Sequence, residues 1–356
     1  VAKEARIAVI PGDGIGIDVT VEAIKVLDTV CEVGGFRVHR DEFDFGADRY
    51  LSTGVSMPEG IFDTFRKEFD AIYIGALGDP RVPDMAHARD ILLGTRFELD
   101  LYINHRPVKL LHERLCPLKD RGVEDVNFVV FRENTEGLYV GMGGIFKKGT
   151  PDEIAIQEDV NTHKGVRRIL EHAFEFAKSN GCTKVTMSDK SNALRFGHDI
   201  WQRLFTEIAE GYPDIESNHL YVDALTLQMI KRPNQFQVIV TCNMFGDIVT
   251  DLGAQLQGGL GMAASGNINP QGVSMFEPVH GSAPKYAGKN VANPFGAILS
   301  LQMMLEHLGY REPASLIEKA VMGCIDAEET PVELQGKLGT KEVGDAVCRR
   351  IKELGD

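Results

Sequence analysis

Tryptophan occurs once in the chain, at position 201, and basic residues are outnumbered: 38 Lys and Arg face 52 Asp and Glu, a formal charge of −14. So acidic a chain excludes nucleic acid or an anionic membrane as the main partner, although a local basic cluster can still serve a small anion. The six cysteines (31, 116, 182, 242, 324 and 348) include no CxxC pair and no Cys/His pairing at zinc spacing. They read as reduced thiols, with Cys182 and Cys242, beside apolar strands, expected to be buried. No apolar run approaches the roughly 20 residues of a membrane-spanning helix. The opening VAKEARIAVI lacks a signal-peptide layout, and no low-complexity tract suggests disorder. A cytoplasmic protein is the expectation.

Against these absences stand 356 residues of ordinary globular composition, 43% hydrophobic and 25% charged, enough for roughly two domains with a sizeable core. Apolar runs of strand length alternate with amphipathic helical stretches, the pattern of an α/β fold. Strands are expected at Arg6–Ile10, Asp70–Gly75, Val126–Phe131, Lys184–Met187, His219–Val222 and Phe236–Cys242. Helices are expected at Val19–Val30, His163–Ser179, Asn192–Ala209, Pro294–Leu308, Ala314–Ala327 and Lys341–Leu354. Gly141–Pro151 reads as a hairpin or arm with Ile154–Gln157 extended after it, and Gly266–Gly272 and Glu277–Pro284 read as loops. The run from Pro11 to Gly16, PGDGIG, has GxGxG spacing, and no acidic residue ends a second strand at the distance a dinucleotide fingerprint requires. It is read as a tight strand-to-helix turn.

The stretch Asn243–Gly261, NMFGDIVTDLGAQLQGGLG, follows the expected strand Phe236–Cys242. Asp247 and Asp251 are four apart and share one helical face. There they can jointly hold a hard divalent cation such as Mg²⁺, or they can simply complement the helix dipole. Asp223, read as closing its strand, is a third candidate ligand. Arg96, Arg106 and Arg132 each lie near the junction of a regular segment and a loop. Their planar forks suit a di- or tricarboxylate if they cluster; singly, each would make a surface ion pair. Lys190, in Ser188-Asp-Lys-Ser-Asn192, can act as a base if carboxylates and a metal surround it, and the hydroxyl of Tyr139 as an acid. The bland alternatives are a solvated lysine and a half-buried tyrosine. His280 and the Gly-Ser-Ala-Pro after it form a small-residue loop that can pack a ring and phosphates, or be an ordinary turn.

Taken in order, IPGDGIG, Arg96-x9-Arg106, RENTEGLY (132–139), DKSN (189–192), NMFGDIVTDLG (243–253), EPVHGSAP (277–284) and ANP (292–294) resemble the β-decarboxylating dehydrogenases that use a metal and a nicotinamide. The resemblance covers essentially the whole chain. It implies a two-domain, isopropylmalate dehydrogenase-like α/β fold with a shared mixed sheet, not a Rossmann fold. One domain would comprise 1–101 with 258–356 on the cofactor side. The other would be 102–257, for substrate and dimerisation, with an arm near 140–158. The resemblance also implies a homodimer, or a higher oligomer, with shared active sites. Lys190 and Asp223 would act on the partner's site while Asp247 and Asp251 serve their own. Arg96, Arg106 and Arg132 would hold the carboxylates of a malate-type substrate. Asp223, Asp247 and Asp251 would hold Mg²⁺ or Mn²⁺, Lys190 aided by Asp223 would take the hydroxyl proton, and Tyr139 would protonate the product enolate. The cofactor loop would comprise His280, Gly281, Ser282, Ala283, Lys285, Tyr286 and Asn293, with His280 and Asn293 at the adenine end.

Within the family, isocitrate enzymes place a serine and an asparagine where this chain has Asp90 and Leu92, and homoisocitrate enzymes an arginine where it has Leu93. Leu92 and Leu93 present an apolar surface instead, as in the isopropylmalate and tartrate/D-malate types. Asn134 and Glu136 of RENTEG lean towards the latter, so both types stay open, with isocitrate and homoisocitrate as alternatives. Arg89 and His105 fit no subfamily pattern. Lys285, where NAD enzymes carry aspartate, suits the 2′-phosphate of NADP. Pro331 and Gln335, where NADP enzymes carry tyrosine and arginine, do not, so NAD and NADP both remain. A non-catalytic regulatory subunit would lack one of these arginines, the lysine or an aspartate, and none is missing.

Overall fold

Alternation along one strand sets the layers of the first part of the structure. In Ala5–Ile10, Ile7 and Val9 join one apolar cluster while Ala8 and Ile10 join another, because successive side chains point to opposite faces of a sheet. Ala71–Ile74 divides in the same way, with Ala71 and Tyr73 on one side and Ile72 and Ile74 on the other. Strands buried on both faces need a helical layer on each. The computed structural model describes residues 4–355 and is α/β throughout. It divides into two units: 1–101 with 109–123 and 254–356, and 102–108 with 124–253.

In the first unit the strand order is Val38–Glu42, Ala5–Ile10, Ala71–Ile74, Ser274–Pro278, Ala264–Ile268. The first four run parallel, and the last pairs antiparallel with Ser274–Pro278, so the sheet is mixed. Helices Ile15–Gly34, Phe295–His307, Arg311–Asp326 and Thr340–Gly355 supply one cluster. Ile61, Phe65 and Ile91 from the helices Ile61–Glu68 and Ala86–Glu98 fill the other. Gly14 shows why the PGDGIG turn needs glycine. Its φ is +56°, and a Cβ there would sit 2.2 Å from the Ser282 carbonyl oxygen. That oxygen accepts the Ile15 N–H at 2.7 Å, so a backbone carbonyl occupies the helix start where a Rossmann turn would receive phosphate.

In the second unit the order is Ile103–Lys109, Asn127–Glu133, Val238–Thr241, Lys184–Asp189, Glu216–Tyr221, with the last four mutually parallel. The helix His163–Ser179 has the expected bounds, and Val166, Ile169, Leu170, Ala173 and Phe174 are its buried stripe. Gly143–Phe146 and Ile154–Gln157 form a separate antiparallel arm, exposed on both faces.

Several elements differ from expectation. The helix read from Asn192 begins at Asp199, because the intervening residues are held in turns: the Ser191 N–H donates to Asp189 and the Lys190 N–H to the ring of His198. Asp223 does not close a strand; the strand ends at Tyr221 and Asp223 lies in the first turn of helix Val222–Lys231. Residues 266–268 and 277–278, read as loop, belong to strands. Cys182 is half-buried, unlike Cys242. The segment 109–123, inside the expected 102–257 domain, groups with the first unit, where the Arg114 guanidinium donates to the carbonyls of Leu334 and Ile325 at 2.9 Å each.

Candidate active site

In the second unit the polar groups converge on Asp247, in the first turns of the helix Asn243–Leu256. Arg132, at the end of the strand Asn127–Glu133 and only 1% exposed, donates to Asp247 Oδ1 at 2.6 Å. It also donates twice to Asn243 Oδ1, at 3.0 and 2.7 Å. Gly246 makes the approach possible: a Cβ there would meet the Arg132 side chain at 2.4 Å. The Tyr139 hydroxyl donates to Asp247 Oδ2 at 3.0 Å, with the Arg132 guanidinium over its ring. Arg106, on the strand Ile103–Lys109, lies 3.7 Å from Asp247 and donates to Thr250 Oγ1 at 2.6 Å. Asp251 follows one helical turn on. Burial and the charge of Asp247 raise its carboxyl above the usual range, against the pull of Arg106 and Arg132. Three of the expected residues thus meet around Asp247, with Asp251 within their electrostatic reach. Asn243 and Thr250 were not foreseen as partners, although both lie inside the motif that drew attention to the helix.

Lys190 and Asp223 form a separate pair in the same unit, Nζ to Oδ1 2.5 Å. That bond lowers the Asp223 carboxyl below its ordinary value. Among the described residues no three Asp, Glu, His or Cys side chains gather to hold a metal. One chain therefore does not join Asp223 to Asp247 and Asp251. Two aspartates on one helical face, one kept from ionising easily by burial and by the charge of the other, fit a hard divalent cation as part of a ligand set; the set needs completing from elsewhere.

In the first unit Arg96, on the helix Ala86–Glu98, is buried against Glu277, Nη2 to Oε1 2.9 Å. Asn267 donates to the same oxygen at 2.8 Å. Arg96 Nε is also buried and has no hydrogen-bond partner among the described residues, which leaves a donor for an incoming anion. Sequence reading missed Glu277 as a partner because it counted this residue as loop. Leu92 and Leu93 are half-buried on the same helix. Asp90 accepts from Ser56 Oγ at 2.9 Å, and Arg89 is exposed 4.0 Å from Asp90. His105, in the second unit, packs on Phe131 and Phe176.

The 280–293 segment carries two polar atoms without partners. His280 Nδ1–H donates to the Gly281 carbonyl at 3.0 Å, burial holds the imidazole below its ordinary pKa, and its Nε2 is buried with no partner among the described residues. Asn293 accepts from the Phe295 N–H through Oδ1, leaving Nδ2 buried and equally without a partner. An acceptor on a neutral histidine and an amide donor suit the hydrogen-bonding edge of a purine. Ser282 is buried, Ala283 has φ of +35°, and Gly281, Lys285 and Tyr286 are exposed. The Lys285 ammonium lies 4.7 Å from the Tyr286 ring. The segment fits a dinucleotide's adenine end.

Comparison with known proteins shows the family. The isocitrate/isopropylmalate dehydrogenase family matches residues 6–347. A 3-isopropylmalate dehydrogenase of Thermobifida fusca is 45% identical over 99% of both chains. One from Streptomyces coelicolor is 44% identical over 98% of this chain and 99% of that one. The crystal structure of isocitrate dehydrogenase from Methylococcus capsulatus superposes with a TM-score of 0.88 at 35% identity, covering 98% of this chain and 99% of that one.

Proposed function

The chain belongs to the isocitrate/isopropylmalate dehydrogenase family, and from that premise we propose that it oxidatively decarboxylates a malate with a small apolar 3-substituent, 3-isopropylmalate first among the candidates. It is a nicotinamide-dependent, decarboxylating dehydrogenase. The observation that carries the reading is the convergence of Arg132, Arg106 and Tyr139 on Asp247. Arg106 and Arg132 balance Asp247 and Asp251 in charge, so a divalent cation and a dicarboxylate can enter together without leaving net charge in a partly buried site. The arginines would then hold carboxylate oxygens as bidentate forks, Arg96 through its unused Nε–H. Leu92 and Leu93 would meet the substituent, and with Asp90 tied to Ser56 they offer no partner for a third carboxylate.

Asp247 and Asp251, with Asp223 of a second copy of the chain, would hold Mg²⁺ or Mn²⁺, whose charge polarises the carbonyl formed on oxidation and eases loss of the β-carboxylate as CO₂. Lys190, hydrogen-bonded to Asp223, would take the hydroxyl proton, and a bound nicotinamide would supply the hydride acceptor. Tyr139 returns a proton to the enolate carbon. Two features support a second copy as the source of Lys190 and Asp223. Leu227, one turn beyond Asp223, is 70% exposed, and Ile248, beside Asp247, is 55% exposed. Arm residues Ile145, Phe146, Ile154 and Ile156 are exposed as well, a cluster of apolar side chains of the kind that marks an interaction surface. His280, Asn293 and the loop between them would take the dinucleotide, with Lys285 favouring a 2′-phosphate and Pro331 and Gln335 offering it nothing.

The test is a rate matrix of 3-isopropylmalate, D-malate, tartrate, isocitrate and homoisocitrate against NAD⁺ and NADP⁺, with Mg²⁺ or Mn²⁺. The largest kcat/KM is expected with 3-isopropylmalate. A preference for D-malate or tartrate would move the pocket to the smaller substituent. No turnover with any pair would overturn the reading.

A further inference from the structure

We propose that His198 is a positioning residue for Lys190, holding the lysine's loop through the Lys190 backbone; the proposal rests on Lys190 being the base. The loop between the strand Lys184–Asp189 and the helix Asp199–Ala209 has no helical ladder to fix it. Backbone bonds run from the Ala193 and Leu194 N–H to the Lys190 carbonyl and from the His198 N–H to the Leu194 carbonyl, and side chains supply the remaining constraints. Asp189, fully buried, accepts from the N–H and hydroxyl of Ser191, from Gln202 Nε2 at 2.8 Å and from His219 Nε2 at 2.8 Å. Those bonds hold the residues on either side of Lys190. The Lys190 N–H itself donates to His198 Nδ1 at 3.0 Å.

That bond fixes the tautomer of His198. A ring nitrogen that accepts carries no proton, so the proton of the neutral ring is on Nε2. Nε2 faces Asp159 3.5 Å from Oδ2, a charge contact without hydrogen-bond geometry, and contact with His198 is the largest influence holding the Asp159 carboxyl below its ordinary value. Asp159 also accepts from Asn161 at 3.0 Å, and Asn161 from the Trp201 indole at 2.8 Å. On its flank the imidazole packs edge-on against Phe245, centroids 5.6 Å apart, in the helix that carries Asp247 and Asp251. His198 is itself fully buried. It therefore ties the lysine's backbone to the base of the arm and to the helix of the aspartate pair. No alternative acceptor for the Lys190 N–H is needed while Nδ1 stays unprotonated.

A residue acting in this way changes the chemical step more than binding. Displacing a reacting group by about 1 Å can cost on the order of 100-fold in rate, and loss confined to the transition state lowers kcat and kcat/KM together. His198→Leu should lower kcat by roughly 10- to 100-fold with the KM for the hydroxy acid and for Mn²⁺ nearly unchanged. His198→Asn places an amide oxygen where Nδ1 stood and should restore most of kcat. Lys190→Met, assayed beside them, should be inactive. If His198→Leu turns over like the parent while Lys190→Met is dead, the positioning role is overturned and the base stands. If Lys190→Met retains turnover, the base assignment fails first. Should His198→Leu fail to fold, His198→Asn decides alone: a folded variant with kcat as low as Lys190→Met overturns the proposal.

Discussion

A half-buried imidazole packed against an aromatic ring is a liability in acid. His172, on the helix His163–Ser179, stands edge-on to Phe131 with centroids 4.7 Å apart, and desolvation depresses its pKa to about 4 from the ordinary 6.5. The folded chain therefore keeps His172 neutral between those values while the unfolded chain binds a proton. Stability tied to this residue is complete above pH 6.5 and is lost as pH falls towards 4, at most about 3 kcal/mol. His172→Phe should flatten the fall in stability between pH 7 and 4.5 in urea unfolding; an unchanged fall would show that the ring is already protonated in the fold. Phe131 immediately precedes Arg132, so the same acid range should loosen the strand that delivers the arginine. At this scale the charged candidates were legible, because arginine, lysine and aspartate at loop junctions announce the chemistry they can do. Their partners were not. Nothing in a one-dimensional pattern pairs Arg96 with Glu277 across 181 positions or stacks three groups on Asp247.

Elements with a strong period were read to the residue, as with His163–Ser179, whose apolar positions repeat every three or four residues. The strand Ala264–Ile268, sequence ASGNI, was not, since its glycine and asparagine carry no strand propensity although the strand is almost wholly buried. The start of the helix Asp199–Ala209 was misjudged because side-chain bonds to the backbone compete with helix in the preceding loop. The segment 109–123 is the clearest case. Its allegiance to the first unit rests on Arg114, whose guanidinium satisfies two carbonyls at the ends of the helix Arg311–Asp326 and the short turn Val332–Leu334. Arg114→Ala leaves those carbonyls without their donor, which costs about 2 kcal/mol. The expected result is a lowered urea midpoint with kcat unchanged once folded. A fall in kcat at full occupancy of the folded state would mean that the segment reports to the active site.

For the whole molecule the question is which copies of the chain complete one site. The Lys190–Asp223 pair and the Asp247–Asp251 pair both lie in the second unit, yet no three-ligand cluster closes among the described residues. If each site takes Lys190 from a second copy, two inactive variants can repair one another. Lys190→Met keeps the aspartates, and Asp247→Asn keeps the lysine. A hybrid dimer of the two then has one site with an intact lysine from one copy and intact aspartates from the other, while its second site has neither. Random association at equal amounts makes half of the dimers hybrid, each with one of two sites working, so co-expressed variants should show about a quarter of the parent's activity. Each variant expressed alone should show none. A site completed within one chain gives none in the mixture either, since every chain lacks one group. The mixed preparation thus separates a shared site from a private one, and the same preparation run over a sizing column must elute as an oligomer for the quarter to be seen.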